Sequence, residues 1–65
     1  MRTITKMKAQ RMRLGLTQAA LAEKIGVTQP RISAWENGKA DIPAKRQRQI
    51  ARILEIDGSI LTEAL

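Results

Sequence analysis

The sequence predicts an all-α protein, a compact bundle of five short helices that forms a single domain over residues 1–65. Apolar residues recur every three or four positions, which is the period of a helix. No segment alternates strictly between apolar and polar residues, as a half-buried strand would. Residues that start or end helices, such as Thr, Asp and Gly, separate the short apolar segments. These observations favour helices throughout the chain.

Composition limits how such a domain is stabilised and what it binds. The chain contains no Cys and no His, which excludes disulfides and the usual zinc ligands. We therefore expect no metal and no cofactor, and stability must come from helix packing, alone or with a partner subunit. No apolar run is long enough to span a bilayer and no signal-peptide pattern is present, so no membrane partner is expected.

The charge points towards a polyanionic partner. Twelve Lys and Arg residues against six Asp and Glu give a formal net charge of +6. Nucleic acid is the leading partner for a basic domain of this size. A surface that is simply rich in Lys and Arg is the alternative, and charge alone leaves it open.

The first helix is predicted over about residues 5–14, and one of its residues does not fit the pattern. Ile4, Met7, Arg11 and Leu14 fall on one stripe at helical spacing, and Arg11 is the charged member. Either its stem packs while its charged end reaches water, or the guanidinium is partly buried and held by a carboxylate.

The second and third helices are predicted over residues 18–25 and 29–37, with Gly26 between them. Each follows a Thr that serves as an N-cap. Leu21 and Ile25 of the second helix point inward. Two short helices joined by a three- or four-residue turn that contains Gly form a helix-turn-helix arrangement.

The fourth helix is predicted to follow two start signals, Asp41 and Pro43. The first half of this helix is polar and basic. The second half carries the expected core contacts, which are Ile50, Ile53 and Leu54.

The last predicted helix runs from Gly58 to about Ala64, with Asp57 as its N-cap. A helix this short does not hold by itself and needs the domain or a partner chain beneath it. Its apolar residues either bury against a second copy of the chain or complete the core, and the sequence leaves both open. These candidate dimer contacts are Ile60, Leu61 and Leu65.

The third helix has one side that is expected to face inward. At 100° per residue, Ile32, Trp35 and Glu36 share that side. Trp35 is the only aromatic residue, and we expect it in the core rather than stacked on a base. Glu36 and Arg11 would each need a partner in the interior, so we expect them to pair and tie the first helix to the third.

The opposite side of the third helix is small and polar. It suits a DNA major groove better than a protein–protein contact, which favours large anchors. Gln29 lies at the N-terminal tip, where its amide can bond both N7 and the N6 amino group of an adenine. Arg31 on the flank can contact phosphate or guanine. The outward residues are Pro30, Ser33, Ala34 and Asn37.

Residues 13–39, RLGLTQAALAEKIGVTQPRISAWENGK, resemble the helix-turn-helix domain of phage repressors and Cro proteins, a family also widespread among bacterial regulators. The matching features are the LGLTQ entry, the LAEKIG helix and turn, and the exit IS-x-WENGK. The resemblance extends over about residues 7–61. It implies five helices and binding as a dimer to a near-palindromic operator whose half-sites lie about 34 Å apart.

The resemblance also implies roles for individual residues. Gln18 matches a glutamine that contacts phosphate and braces the first residue of the recognition helix, here Gln29. Arg11 and Glu36 match an ion pair between helices. Base readout is expected from Gln29, Pro30, Arg31 and Ala34. Contacts to the DNA backbone are expected from Gln18, Ser33, Asn37, Lys39, Lys45 and Arg46, the last two in a segment that follows the family loosely.

These features predict a sequence-specific transcriptional regulator that binds double-stranded DNA, a repressor or Cro-like protein. Enzymatic activity is not expected, because the chain has no phosphate-binding Gly-rich loop and no paired carboxylates in a cleft. We expect a homodimer at least on DNA, contact with or exclusion of RNA polymerase, and a cytoplasmic location at the nucleoid of a bacterial cell or phage-infected host. The alternative is an antitoxin-like or other protein-interaction module with the same fold.

Overall fold

The computed structural model describes residues 4–65, which form four α-helices and one 3₁₀ turn. The described residues contain no strand, only an isolated antiparallel bridge between Thr5 and Ala64. Each helix falls short of the length and apolar character that crossing a bilayer requires. The all-α prediction is confirmed. The elements are α1 (Lys6–Arg13), α2 (Gln18–Ile25), α3 (Gln29–Glu36), α4 (Ala44–Leu54) and the 3₁₀ turn Gly58–Ile60.

The predicted fifth helix is wrong beyond its first turn. After Ile60 the chain runs back along the start of α1 instead of continuing as a helix. The backbone N–H groups of Lys6 and Met7 donate to the carbonyls of Glu63 and Leu61, at 2.7 and 3.0 Å. These N–H groups have no partner inside α1, because they belong to its first turn. The C-terminal residues therefore supply the hydrogen-bond acceptors that the first backbone N–H groups of α1 lack within the helix.

Local capping explains where α2 begins and ends. The Thr17 hydroxyl accepts a hydrogen bond from the backbone N–H of Ala20 at 3.0 Å, which is the N-cap interaction expected of Thr. At the other end Gly26 has φ +77°, a left-handed conformation that glycine adopts without a steric penalty. Because the helix stops at this residue, α3 begins after a turn of only three residues.

The start of α4 differs from the prediction in one detail. Pro43, and not Asp41, is the residue that precedes the first helical turn. Its φ of −58° lies in the range that the proline ring imposes.

The core lies where the four helices and the 3₁₀ turn meet. The sequence placed Leu14 on the apolar stripe of the first helix, yet Leu14 is 40 % exposed. The reason is that α1 ends at Arg13, so Leu14 leaves the helical stripe and Leu16 packs against the core instead. Trp35 is buried, as predicted. The buried apolar residues are Met7, Leu21, Ala22, Ile25, Ile32, Trp35, Ile42, Ile50, Leu54 and Leu61.

A pH measurement tests the cap of the 3₁₀ turn. The backbone N–H and the hydroxyl of Ser59 both donate to the Asp57 carboxylate, at 2.9 Å each, and these bonds lower the pKa of Asp57. The cap therefore stabilises the fold above the ordinary pKa of Asp57 and is lost as pH falls through the lowered value. In Ser59→Ala the larger backbone contribution remains, so the pKa should return only part of the way. Carboxylate ¹³C shifts measured against pH give both values, and an unchanged pKa in the variant would contradict the hydroxyl contribution.

Candidate nucleic-acid interface

The α3 helix has a buried side and an exposed side. Ile32, Trp35 and Glu36 are buried, and they attach α3 to the rest of the domain. The other side carries the residues that the sequence singled out for DNA contact. Among these, Ser33 and Ala34 are half-buried, and the exposed ones are Gln29, Pro30, Arg31 and Asn37.

A buried ion pair joins α1 to α3. Arg11 Nε donates to Glu36 Oε2 at 2.6 Å, and Arg11 Nη2 donates to Glu36 Oε1 at 3.3 Å. The two side chains are 9 % and 1 % exposed. Arg11 Nη1 also donates to the Leu16 carbonyl at 2.7 Å. This geometry is two parallel N–H···O bonds between a planar guanidinium and a carboxylate, the arrangement that fixes relative orientation best.

The same carboxylate holds Gln18, the first residue of α2. Gln18 Nε2 donates to Glu36 Oε1 at 2.9 Å. A carboxylate only accepts hydrogen bonds, so the amide nitrogen of Gln18 must face Glu36. The amide oxygen of Gln18 then faces the other way, towards α3. The orientation of this side chain therefore follows from its partner.

Gln29 is the next residue in this chain of contacts. Gln29 Nε2 lies 3.5 Å from the oxygen of Gln18, which makes it a long hydrogen-bond donor to that atom. One N–H of Gln29 is thus directed at the protein, while its oxygen and its second N–H remain for another partner. The contacts run from Arg11 through Glu36 and Gln18 to the exposed tip of α3.

The exposed cations differ in how freely they can reach a ligand. Lys39 and Lys45 are exposed. Arg46 is half-buried, and its Nη1 donates to the Ile25 carbonyl at 2.7 Å and to Gln49 Oε1 at 2.9 Å. The C-terminal carbonyls of a helix carry partial negative charge, so Arg46 neutralises the end of α2. Sequence reasoning missed this role, because nothing local in the sequence links Arg46 to Ile25.

Two of the expected backbone contacts interact with each other. Asn37 Nδ2 donates to Ser33 Oγ at 3.3 Å, which is possible because the two residues are one helical turn apart. Ser33 and Asn37 therefore lie on the same side of α3. Gln18 and Lys39 lie at the two ends of the helix pair.

The candidate dimer contacts do not form one surface. Leu61 is 1 % exposed and fills the core of its own chain, which is the second of the two alternatives that the sequence left open. Leu65 is 70 % exposed and Ile60 is half-buried. These two residues line a cavity of about 240 Å³ beside α1.

The chemistry offered by this surface is hydrogen bonding and positive charge. Residues 4–65 include no group of three or more His, Cys, Asp or Glu residues placed to hold a metal ion. The exposed side of α3 presents amide, hydroxyl and guanidinium groups, with lysines beyond its end. Such groups match the phosphates and base edges of a nucleic acid.

Comparison with known proteins agrees with this geometry. A family model described as "Helix-turn-helix", of the Cro/C1 type, matches residues 7–61, which is most of the chain. Proteins of that family are DNA-binding regulators. One similar solved structure is described as "Crystal Structure of FeII HppE in Complex with Substrate form 1". The TM-score is 0.75 and the identity 32 %, over 86 % of this chain and 33 % of that chain. This chain therefore spans about a third of that protein, and the likeness concerns the fold of that third.

Removing one partner of the buried pair should destabilise the domain strongly. Arg11→Ala leaves the Glu36 carboxylate buried without its countercharge, and the free energy of unfolding should fall by ~3–5 kcal/mol. Arg13 is exposed near the end of the same helix, and Arg13→Ala should change this free energy by less than ~0.5 kcal/mol. Urea denaturation measures both.

The double variant Arg11→Met with Glu36→Leu separates the charge from the packing. With neither charge buried, most of the loss seen in Arg11→Ala should be recovered. Equal losses of unfolding free energy in Arg11→Ala and Arg13→Ala would contradict the stabilising role of the Arg11–Glu36 pair between α1 and α3.

Proposed function

This chain belongs to the Cro/C1-type helix-turn-helix family, and we propose that it is a sequence-specific transcriptional regulator that binds double-stranded DNA through α3. In this proposal α3 enters the major groove with its N-terminal end deepest. The observation that carries the proposal is the support of Gln29 by Gln18, which is itself held by Glu36. A side chain that is already ordered loses less conformational entropy when it binds.

Adenine is the base that Gln29 fits best. The free oxygen of Gln29 accepts from the adenine N6 amino group, and the second N–H donates to N7. The first N–H stays on Gln18, so the brace and the readout use different atoms. Pro30 and Ala34 offer only apolar contact, which suits a thymine methyl group. Arg31 on the flank reaches guanine or phosphate.

The backbone contacts hold α3 in place rather than select a sequence. Lys39 and Lys45 are exposed and have the charge for this task. Arg46 contributes through the donors that the Ile25 carbonyl and Gln49 leave free. The proposed set is Gln18, Ser33, Asn37, Lys39, Lys45 and Arg46.

The proposed binding mode is a homodimer on a near-palindromic operator, in line with the family that the chain belongs to. One α3 helix reads one half-site, so two copies reading adjacent major grooves lie about 34 Å apart. The exposed Leu65 and half-buried Ile60 are the proposed contact between copies. Regulation would follow from excluding RNA polymerase, as in a repressor or Cro-like protein, or from touching it. Such a protein acts in the cytoplasm, at the nucleoid.

The competing function is an antitoxin-like or other protein-interaction module, and the salt dependence of duplex binding separates the two. A DNA reader that neutralises about four phosphates loses roughly 100-fold in affinity between 50 and 200 mM salt, because counterions are released. Fluorescence anisotropy of a labelled duplex measures this slope. Absence of duplex binding at low salt, or a flat salt response, would favour the interaction module.

Selection from a random pool of duplexes identifies the operator and tests the role of Gln29. The expected consensus has two inverted half-sites. Gln29→Ala should relax one base position in each half-site by ~1–3 kcal/mol. Gln18→Ala leaves Gln29 in place without its brace, so preference at the same position should weaken less.

Lys39→Ala is the matched control for Gln29→Ala. It should weaken binding to all duplexes alike and reduce the salt slope by about one phosphate contact. A Gln29→Ala variant that also lost affinity uniformly, with an unchanged consensus, would remove Gln29 from the base-reading role.

A further inference from the structure

Asn37 and Gly38 directly follow α3, and Asn37 is the only asparagine in the chain. Both residues are exposed, and Asn37 is the C-cap of the helix. The side-chain amide carbon of an asparagine is open to attack by the backbone nitrogen of the next residue, which releases ammonia without an enzyme. A following glycine favours this attack, because it has no Cβ to hinder the approach. Asn37 is therefore a chemically reactive residue at the end of the helix proposed to bind DNA.

The folded helix end restrains this reaction through two long hydrogen bonds. Asn37 Nδ2 donates to Ser33 Oγ, and the Gly38 backbone N–H donates to the Trp35 carbonyl, each at 3.3 Å. Both exceed the ~2.7–3.2 Å typical of N–H···O bonds. They also lie in the last turn of α3, and helix ends fray. Opening of this one turn frees the amide carbon and the attacking nitrogen together, while the buried side of α3 stays packed.

The space around Gly38 permits that opening. Its φ is +70°, and no atom of residues 4–65 beyond its chain neighbours lies within 4 Å of the position that a Cβ would take. The comparable pair Asp57–Gly58 is packed instead, because a Cβ on Gly58 would lie 3.5 Å from the Ala51 Cβ. The Asp57 carboxylate is also held by two hydrogen bonds from Ser59 at 2.9 Å. Of these two pairs, the one at the end of α3 is therefore free to react.

We propose that Asn37 deamidates in the free protein and that the products bind DNA less tightly. The Gly38 backbone nitrogen bonds to Asn37 Cγ, the Cγ–Nδ2 bond breaks, and Nδ2 leaves as ammonia with the proton that the Gly38 nitrogen gives up. The cyclic succinimide that forms then takes up one water molecule. Ring opening at one carbonyl gives aspartate at this position, and opening at the other gives isoaspartate.

Either product places a carboxylate where the proposed function expects contact with phosphate. The new charge repels phosphate and adds to the partial negative charge at the carbonyl end of α3. In isoaspartate the main chain gains one atom before Gly38, which moves the Lys39 N–H away from the Ala34 carbonyl that it contacts at 2.9 Å. Lys39 is itself a proposed phosphate contact. The loss of DNA affinity thus rests on the proposed function, whereas the reaction does not.

Intact-mass spectrometry measures the reaction, because each converted chain exchanges an amino group for a hydroxyl group. The mass should rise during incubation at neutral pH, and faster as pH increases, since the attacking nitrogen must lose its proton. Mapping should place the change in the tryptic peptide 32–39 and resolve two products there. Conversion should be slower in the folded chain than in urea, because the two hydrogen bonds at the helix end restrain it.

Asn37→Gln is the matched control, because it keeps a side-chain amide whose attack by the Gly38 nitrogen would need a larger ring. Asn37 has φ −98°, which any residue adopts, so the variant should fold. Its mass should stay unchanged over the same period. The proposal is overturned if the folded, unchanged protein gains no more mass than Asn37→Gln at a time when the urea-unfolded chain has converted.

Asn37→Asp carries the charge of the product and tests its effect on DNA binding. It should weaken binding to all duplexes about tenfold at low salt, because like charges at a contact repel. Thr62→Asp is its control, since Thr62 is exposed in the C-terminal segment and lies outside the proposed interface. That variant should lose much less affinity. Equal losses in the two variants would overturn the link between deamidation of Asn37 and DNA binding.

A duplex that the protein binds separates this proposal from the proposed function. Saturation with such a duplex should slow the mass change, because contacts at Asn37 and Lys39 keep the last turn of α3 closed. If no duplex binds the fresh protein, the proposed function and the effect on DNA fail, while the mass change still supports the deamidation. If a duplex binds fresh and fully converted protein equally, DNA binding stands and the proposed loss of affinity is overturned.

Discussion

The Glu36 carboxylate is the contact on which the interface depends. It accepts hydrogen bonds from Arg11 on α1 and from Gln18 on α2, while it belongs to α3 itself. Three helices therefore meet at one buried group. A buried ion pair adds little net stability, because desolvation offsets the attraction between its charges. Its larger contribution is to fix the orientation of the side chains around it. Arg11 and Gln18 must each turn their N–H groups towards the carboxylate to donate to it.

Through the side-chain amides of Gln18 and Gln29, the Glu36 carboxylate also affects the exposed end of α3. The Gln18 nitrogen faces Glu36, so its oxygen is presented to Gln29 at the tip of α3. A buried charge thereby sets which atoms of an exposed side chain remain free. The inward side of α3 consequently does more than anchor the helix, because it also orients Gln29, the residue proposed to contact a base.

The small size of the domain makes its other connections important. With no disulfide available, the C-terminal residues close the fold by donating to and accepting from the start of α1. Arg46 joins α4 to the end of α2. Both connections satisfy helix ends that would otherwise face water or the interior unpaired. Arg46 also lines a cavity between α3 and α4, so this connection helps to shape it.

The sequence by itself determined the helical class, the N-caps at Thr17 and Asp57, the stop at Gly26 and the division of α3 into two sides. These properties depend on spacing and residue type within a few positions, where helix geometry leaves little choice. It also indicated that Arg11 and Glu36 need partners, because both fall on apolar stripes. The prediction from sequence was wrong about the position of Leu14 and the length of the fifth helix. At both places the chain stops being helical and contacts residues that are distant in the sequence.

Only the tertiary structure decided which groups meet. Arg46 and Ile25 are 21 positions apart in the chain, and Lys6 and Glu63 are 57 apart. No periodicity relates residues at such separations, because their distance depends on how whole helices pack. The facing of the Gln18 amide, the burial of Leu61 and the cavity between α3 and α4 arise in the same way. Local sequence sets the elements, and packing between them sets the site.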